Sequence, residues 1–576
     1  MTRRGKFQSV IGVFLFLTLV FIFEIKSFAA NSSPRHLYLG LDSVPCSIFM
    51  EAQERGLFKD FHPPSKVIAP FPALSNYAWA VIMNTEKMES YQAKYYHFGL
   101  NKIVGRLLHE VGKPTYPNRF DFSDERVIKK ILAYITGGGS VKGEMKQLGE
   151  KVLASNQPRL FFALIGTSDI VAHMKGAKGL HKLLKIVDRE LVQIREEHFK
   201  KFKEPLVVTL VSDHSNTLKR GKIINVKKVL KENNFNLTKK LKGPNDVIYY
   251  SSGILSVANF FIQDTRKIEL AHTLATQPWS DVVVTFDREG DVFLVISQKG
   301  TLAFEYREEK NEFRIRNLVG ENPLGLVQQN LPLGKWIPQS EVLEASVKTG
   351  YPDSLMRIQK GLTPWRVNHP ASVIVSLKPG YESGSKFMKF LSKLKGRSGT
   401  HGALAALESV GIISSTNYDF PEWVPAREVH KLIEGYDFGK RFEAMTLIWT
   451  GNGNCKMRFG QPLLDIPDIA SVQFIIQIFD HQRHRFSRSY DLYKVKISSK
   501  RIQSSSLGNP RFFDVLLPKT PKPEVLFQLQ ALVLDVNGRV VAKLKTKRLT
   551  IMRYKGYSKF PIKKIFESPR KHLAWY

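Results

Sequence analysis

The chain has 576 residues, of which 43% are hydrophobic, 11% aromatic and 24% charged. At roughly 100–200 residues per domain it has room for several domains or one large α/β unit with additions, and its composition excludes a disordered chain, a collagen-like repeat and a small stapled scaffold. Lys and Arg number 86 against 52 Asp and Glu, a formal net charge of +34; spread along the chain, it excludes an acidic or neutral profile and points to polyanionic surroundings such as nucleic acid, anionic lipid or envelope polymers.

Residues 1–29 read as a signal peptide. Arg3, Arg4 and Lys6 precede the apolar run Val10–Phe23, and Ser27, Ala29 and Ala30 supply small residues for cleavage. The run has 14 residues, short of the roughly 20 that span a bilayer, so export to the periplasm or outside is expected, with an uncleaved anchor as the alternative. Cys46 and Cys455 are the two cysteines; they exclude a disulfide framework and a Cys-rich metal site, and the sequence leaves their pairing open.

After the leader, strand-like and helix-like segments alternate. His36–Gly40 is a strand that breaks at Asp42 and Ser43, and Cys46–Phe58 has helical spacing. Lys66–Ala69 is a second strand, and Ser75 stands before Asn76–Met83 as an expected N-cap. Glu125–Ile135 and Lys142–Ala154 read as helices, Arg159–Ile165 as a buried strand, Ala177–Phe202 as a long charged helix, Leu206–Val211 as another buried strand and Asn225–Phe235 as a helix. Unbroken apolar strands alternating with helices predict an α/β fold: a mainly parallel sheet with helices on both faces and ligand chemistry at the strands' carboxyl ends.

From about 247 to 330 short β segments (Asp281–Phe286, Val292–Ser297, Leu302–Tyr306) predict a β-rich insertion or cap. Ser372–Leu377 restores a strand, Gly384–Lys395 is rich in Gly, Ser and Lys, and the turn Gly399-Thr400-His401-Gly402 leads into Ala403–Leu407. The α/β domain, residues 30–436, is expected to end near Tyr436. Over 437–576, Ala444–Thr450, Val472–Phe479, Tyr490–Ile497, Phe512–Leu517, Phe527–Val536 and Val540–Lys545 alternate with turn residues, as in a C-terminal antiparallel β-sandwich.

Metal-ligating residue types fall at four of these strand ends. Asp42 follows the first strand, Ser75 the second, Asp169 and His173 the third, and Asp213 and His214 the fourth, while His401 lies in a later Gly-flanked turn. A parallel sheet brings such points together. Carboxylate and imidazole donors suit a pair of divalent ions, probes of phosphoryl chemistry that can clamp attacking and leaving oxygens, and a serine hydroxyl at a helix start has free amides beside it for an anionic phosphate. Singly each residue has an ordinary explanation: Asp-Ser is common turn chemistry and Ser a common cap. Asp480-His481-Gln482-Arg483-His484 shows the same spacings but reads as a hairpin turn, since Arg483 and Arg485 oppose a cation. His369, before Pro370, competes with His401 for the last ligand position and reads as structural.

In order along the chain, Leu39-Gly40-Leu41-Asp42, Phe71-Pro72-Ala73-Leu74-Ser75, Asp169-Ile170-Val171-Ala172-His173, Ser212-Asp213-His214 and Gly399-Thr400-His401-Gly402 resemble the alkaline phosphatase superfamily, in its type I phosphodiesterase/nucleotide pyrophosphatase-like branch, over about residues 35–436. The resemblance implies an alkaline phosphatase-like fold, two zinc ions held by Asp42, Asp213 and His214 and by Asp169, His173 and His401, and Ser75 between them as covalent nucleophile. Gly320–Gly325 and Ile224–Leu230 also look similar to segments of this branch.

The chain departs from the family where Ser75 stands for the usual Thr and where Asn84–Gly99 replaces the stretch carrying a phosphate-binding Asn, for which Tyr95, Tyr96 and Asn101 are candidate substitutes. Asn76-Tyr77-Ala78-Trp79 after Ser75 disfavours a sulfatase. The implied activity is an exported two-metal phosphohydrolase acting on phosphodiester or pyrophosphate bonds. A phosphomonoesterase or a phospho-substituent transferase is the alternative within the superfamily, and a non-catalytic polyanion-binding envelope protein the alternative of another class. The basic stretches Lys543–Lys547, Lys555–Lys564 and Arg570-Lys571-His572 read as a solvated face rather than a nucleic-acid surface, with anionic envelope lipid or polymer as the partner if they bind.

Overall fold

The computed structural model describes residues 35–85, 87–92, 94–105, 116–123, 141–154, 160–249, 254–326, 331–384 and 399–432, and beyond them the strands between 445 and 550. The leader, the Glu125–Ile135 segment, nearly all of Gly384–Lys395 and the basic stretches after 551 lie outside the described residues.

Seven strands form the first sheet: β1 (Arg35–Leu41), β2 (Ser65–Ile68), β3 (Phe122–Ser123), β4 (Leu160–Ile165), β5 (Leu206–Val211), β6 (Val410–Ser415) and β7 (Trp423–Pro425), in spatial order β7-β2-β6-β5-β1-β4-β3. The sheet is parallel except for β6, which runs antiparallel to both neighbours. Every residue of β5 and β6 is buried and nearly every one of β1 and β4, as the continuous apolar runs predict for a sheet covered on both faces. Alternate residues divide between two cores. Leu37, Leu39 and Leu41 pack with the helices α1 (Cys46–Glu54), α3 (Val141–Val152) and α4 (Thr167–Phe202), whereas Tyr38, Phe162 and Leu164 pack with α2 (Ser75–Ile82).

The helix expected at Ala177–Phe202 begins earlier, at Thr167, and turns at Gly176, whose φ of 57° and ψ of −152° suit a residue without a Cβ. The segment carrying Asp169 and His173 is therefore helical. Below that turn Ile194 of α4 lies close to Gly149 of α3.

The second sheet has nine strands, in the order Trp336–Pro338, Glu312–Gly320, Gly300–Arg307, Val292–Ile296, Ser280–Asp287, Val373–Leu377, Val257–Phe261, Asp246–Tyr249 and Asn236–Leu237. It thus spans more of the chain than the β segments expected at 247–330. Val373–Leu377 lies inside this sheet, antiparallel to Ser280–Asp287 and Val257–Phe261; an unbroken apolar run announces a buried strand but not its sheet. One face is covered by the helices Val226–Glu232 and Lys267–Ala275, and the other joins the core beneath α2 through Leu355 and Ile358.

C-terminal strands recur close to their expected places. Met445–Thr450, Asn454–Phe459 and Phe513–Leu517 form one antiparallel sheet, and Arg485–Lys496, Ile469–Asp480, Leu526–Asp535 and Val540–Lys545 form another, with Leu549–Thr550 paired to Leu526–Asp535. Asp480 pairs with Arg485 across two antiparallel strands, and residues 481–484 of the Asp480–His484 cluster lie outside the described residues.

At the junction of β5 and β6, a Cβ on Gly411 would sit 2.2 Å from the Ser212 carbonyl oxygen and 3.2 Å from the His214 nitrogen. Backbone atoms cannot rotate away as a flexible side chain would. Gly411→Ala is therefore expected to lower the unfolding free energy by about 1–3 kcal/mol, read by urea denaturation; an unchanged midpoint would contradict this packing.

Candidate metal centre

The register of the first sheet levels the strand ends. Leu41 lies opposite Ile165, and Gly40 opposite both Leu164 and Val211. The residues that follow each strand consequently emerge at one edge: Asp42 after β1, Asp213 and His214 after β5, and the first turns of α4 after β4. The Ala73–Ser75 segment approaches from β2, and His401 is brought in by an isolated parallel bridge to Leu255.

Two groups of three ligating side chains result, Asp42, Asp213 and His214 in one and Asp169, His173 and His401 in the other, each with its donor atoms within 4.8 Å of one another. In the first, His214 Nε2 is 3.3 Å from Asp213 Oδ2 and 3.8 Å from Asp42 Oδ1. In the second, Asp169 Oδ1 is 3.2 Å from His173 Nε2 and 3.9 Å from His401 Nε2. The groups abut, because the His214 and His401 rings stack with centroids 4.1 Å apart. Ser75 Oγ lies 3.2 Å from Asp42 Oδ1 and 3.1 Å from His214 Nε2.

All three imidazoles are oriented alike. His173 Nδ1 meets the Gly399 carbonyl at 2.7 Å, His214 Nδ1 the Ser215 carbonyl at 2.9 Å and His401 Nδ1 the Ala73 carbonyl at 2.9 Å. A carbonyl oxygen only accepts, so each Nδ1 carries the hydrogen and each Nε2 faces a carboxylate. Burial lowers His214 to about 4 and His401 well below its ordinary value; both are neutral at pH 7, and their Nε2 atoms present lone pairs. Asp213 is fully buried. Its Oδ1 accepts from the Ser43 amide at 3.1 Å, while Oδ2 has no hydrogen-bond donor among the described residues.

Burial pushes the Asp213 carboxyl well above the carboxylate range, against the pull of the Ser43 amide and with Asp169 adding to the rise. Asp169 goes the other way: burial raises it, but the His173 imidazole 3.2 Å away holds it well below. Nitrogen and oxygen lone pairs converging in this buried space repel unless a proton or a metal cation is shared between them. Imidazole nitrogen with carboxylate oxygen, each ring steadied by a carbonyl behind it, is a donor set for a divalent ion such as zinc.

Each of the seven residues singled out in the sequence reaches this edge, but Ser75 does so differently from the expected N-cap. It is the first residue of α2, after an N-cap at Leu74 whose side chain makes no cap bond, and its hydroxyl turns to Asp42 and His214. His369 is elsewhere, stacked on Tyr95 at 5.3 Å and next to His97 at 4.1 Å. Asn101 Oδ1 accepts from Tyr96 Oη at 2.7 Å and from the Leu241 amide at 2.8 Å, so this amide is occupied within the fold. Sequence reading missed the positioning groups: the carbonyls of Ala73, Ser215 and Gly399 carry no residue-type signal, and Ser43, at φ 63°, gives its amide to Asp213. Cys46 is a buried free thiol.

No protein-family model matches the chain, and no curated protein matches it. Solved structures similar to it include human ectonucleotide pyrophosphatase/phosphodiesterase 5, at 11% identity over 69% of this chain and 93% of that one with a TM-score of 0.37. Murine ectonucleotide pyrophosphatase/phosphodiesterase 5 is similar at 13% identity over 69% of this chain and 94% of that one, TM-score 0.34. An inactive form of the murine protein in complex with AMP gives 12% identity, 70% and 94% coverage and a TM-score of 0.34. By name these are pyrophosphatase/phosphodiesterases, as is the branch that the sequence motifs resemble. At such identities and TM-scores the chemistry has to be read from the site itself.

The tautomers are testable directly. In the metal-free chain at about pH 5, nitrogen-15 NMR should find exposed histidines protonated but His214 and His401 neutral, with hydrogen on Nδ1; hydrogen on Nε2 would contradict the orientation described.

Proposed function

We propose that the chain is an exported metal-dependent phosphohydrolase that cleaves phosphodiester or pyrophosphate bonds through Ser75. The observation that carries this reading is a pair of abutting ligand groups, Nε2 and carboxylate oxygens facing one another, with the Ser75 hydroxyl at a helix start against Asp42 and His214 of the first. Asp42, Asp213 and His214 would hold one ion and Asp169, His173 and His401 the other. Bound there, two divalent ions would supply positive charge to the phosphoryl oxygens and to the Ser75 oxygen.

The remaining roles belong to the chain. Asp42 and His214 orient Ser75 Oγ, and the first-turn amides of α2 face an anionic phosphoryl group with the positive end of the helix. Ser75 Oγ forms a bond to phosphorus as the bond to the leaving oxygen breaks, and the hydroxyl proton ends on the departing alcohol. Water then adds to phosphorus, the Ser75 ester bond breaks and Ser75 regains its proton. A serine in this place suits either a diester or a monoester, so substrate preference is a measurement rather than a reading of the site.

Among the described residues no helix is long and apolar enough to cross a membrane; export is proposed from residues 1–29 alone, which would direct it. The C-terminal strands are proposed to pack as a β-sandwich of residues 437–576 that positions substrate or meets anionic envelope lipid or polymer. Zinc is the proposed metal on the mixed nitrogen and oxygen donors, and manganese, which the same set accepts, is the alternative.

Elemental analysis of the purified chain is expected to give close to two zinc ions per chain, and Asp213→Ala fewer, with hydrolysis lost alongside. Ser75→Ala should keep its metal and lose at least about 10³-fold in kcat on bis-(p-nitrophenyl) phosphate. Faster turnover of p-nitrophenyl phosphate would move the assignment to a monoesterase, and transfer to added alcohol in preference to water would make it a transferase. No stoichiometric metal and no hydrolysis after refilling with Zn²⁺ or Mn²⁺ would overturn the enzyme reading in favour of a binding protein.

A further inference from the structure

Several of the hydrogen bonds that fix His214 and His401 lead to one residue that belongs to neither ligand group. Glu408 lies in the short Ala406–Ser409 helix just before β6 and is 1% exposed. Its Oε2 accepts from the Ala403 amide at 3.4 Å, two residues beyond His401, and from the Ser256 hydroxyl. The Ser256 amide in turn donates to the His401 carbonyl at 2.9 Å. On the other side, the Glu408 carbonyl accepts from the Ser215 amide at 3.2 Å, and the Ser215 carbonyl is the acceptor for His214 Nδ1. One residue therefore holds the turn that carries His401 with its side chain and the segment that carries His214 with its backbone.

A buried carboxyl is an expensive choice for a purely structural position, since apolar side chains of similar volume fill such space as well or better. Burial raises the Glu408 carboxyl well above its usual range, and its Oε1 has no hydrogen-bond partner among the described residues. The turn it grips is tied to the second sheet by a further bond, from the Leu404 amide to Ser376 Oγ at 3.1 Å. The His401 turn belongs to no helix or strand; besides its bridge to Leu255 and the bonds of Thr400 to Thr217 and of Gly402 to Ala73, these polar contacts hold its angle on the side facing Glu408.

Resting on the two-ion reading above, we propose that Glu408 is the positioning residue of the centre, which sets the His401 ring against Asp169 and, through Ser215, the His214 ring against Asp42 and Asp213. It touches neither substrate nor metal. Misplacing a histidine donor by a fraction of an ångström weakens the ion it shares, and loss of such supporting contacts in metal sites typically costs about 10–100-fold in affinity.

The full chain, stripped with a chelator, is titrated with Co²⁺ as the probe, followed by its visible absorption and by calorimetry. Parent, Glu408→Gln, Glu408→Ala and Phe304→Leu are compared; Phe304 is a fully buried core residue of the second sheet. Glu408→Gln, whose amide oxygen in the place of Oε2 can still accept from both the Ala403 amide and the Ser256 hydroxyl, should bind Co²⁺ within about 3-fold of the parent. Glu408→Ala should bind at least about 10-fold more weakly. Phe304→Leu should lose thermal stability and retain Co²⁺ affinity, a separation that a general loss of stability would not produce. Unchanged affinity in Glu408→Ala, or equal losses in Glu408→Ala and Phe304→Leu, would overturn the proposal while leaving the metal centre standing. A parent chain that takes up no Co²⁺ would overturn the centre and this proposal together. Should Glu408→Ala fail to fold, Ser256→Ala removes one hydroxyl from the same latch; a several-fold loss of affinity supports the role, and none refutes it.

Discussion

Repulsion among buried lone pairs is the constraint around which this molecule is arranged. Three imidazole nitrogens and three carboxylates face one another at one edge of a sheet, and two of these side chains, Asp213 and His214, are completely removed from water. Such a cluster is unstable unless its members are held in place by other bonds and the charge they concentrate is shared with a cation. Carbonyls behind each ring and amides beside the carboxylates provide the first condition. Asp169 and Asp213 respond in opposite ways: the His173 imidazole beside it keeps one carboxyl low, while burial drives the other high.

The two sheets divide the labour. The parallel sheet brings strand ends to a common level and so delivers Asp42, Asp169, His173, Asp213 and His214 from elements whose geometry is regular. The second sheet contributes no ligand. Its Ser376, and Ser256 just before its strand Val257–Phe261, hold the turn that carries His401, and a core shared between the sheets keeps that support in register with the strand ends. β6, the one antiparallel strand, closes the arrangement by packing Gly411 against the chain just before Asp213.

Much of this was legible from residue order. Continuous apolar runs fix the strands of a covered parallel sheet, because alternate faces must both be buried. The positions just after those runs then become neighbours whatever their separation in sequence. Asp42, Asp213 and His214 needed no more than this rule. Ser75 was legible as a residue at a helix start but not as one whose hydroxyl leaves the helix: a cap and a nucleophile occupy nearly the same place, and the choice between them is made by Asp42 and His214 from other strands. Val373–Leu377 shows the same gap in the fold itself, since its apolar pattern satisfies either sheet.

His401 marks the boundary between the two kinds of information. By itself the sequence determined the elements, their burial and the chemical types at their ends, because these depend on local spacing and on the demand that apolar faces meet. The family resemblance already joined His401 rather than His369 to Asp169, whereas tertiary structure alone decided which nitrogen of each ring carries the hydrogen and what holds the His401 turn. Those choices rest on bonds between residues far apart, such as His173 to Gly399 across 226 positions and His401 to Ala73 across 328. Backbone carbonyls are identical in every residue, so a contact made through them leaves no trace in the sequence until the folded chain brings the partners together.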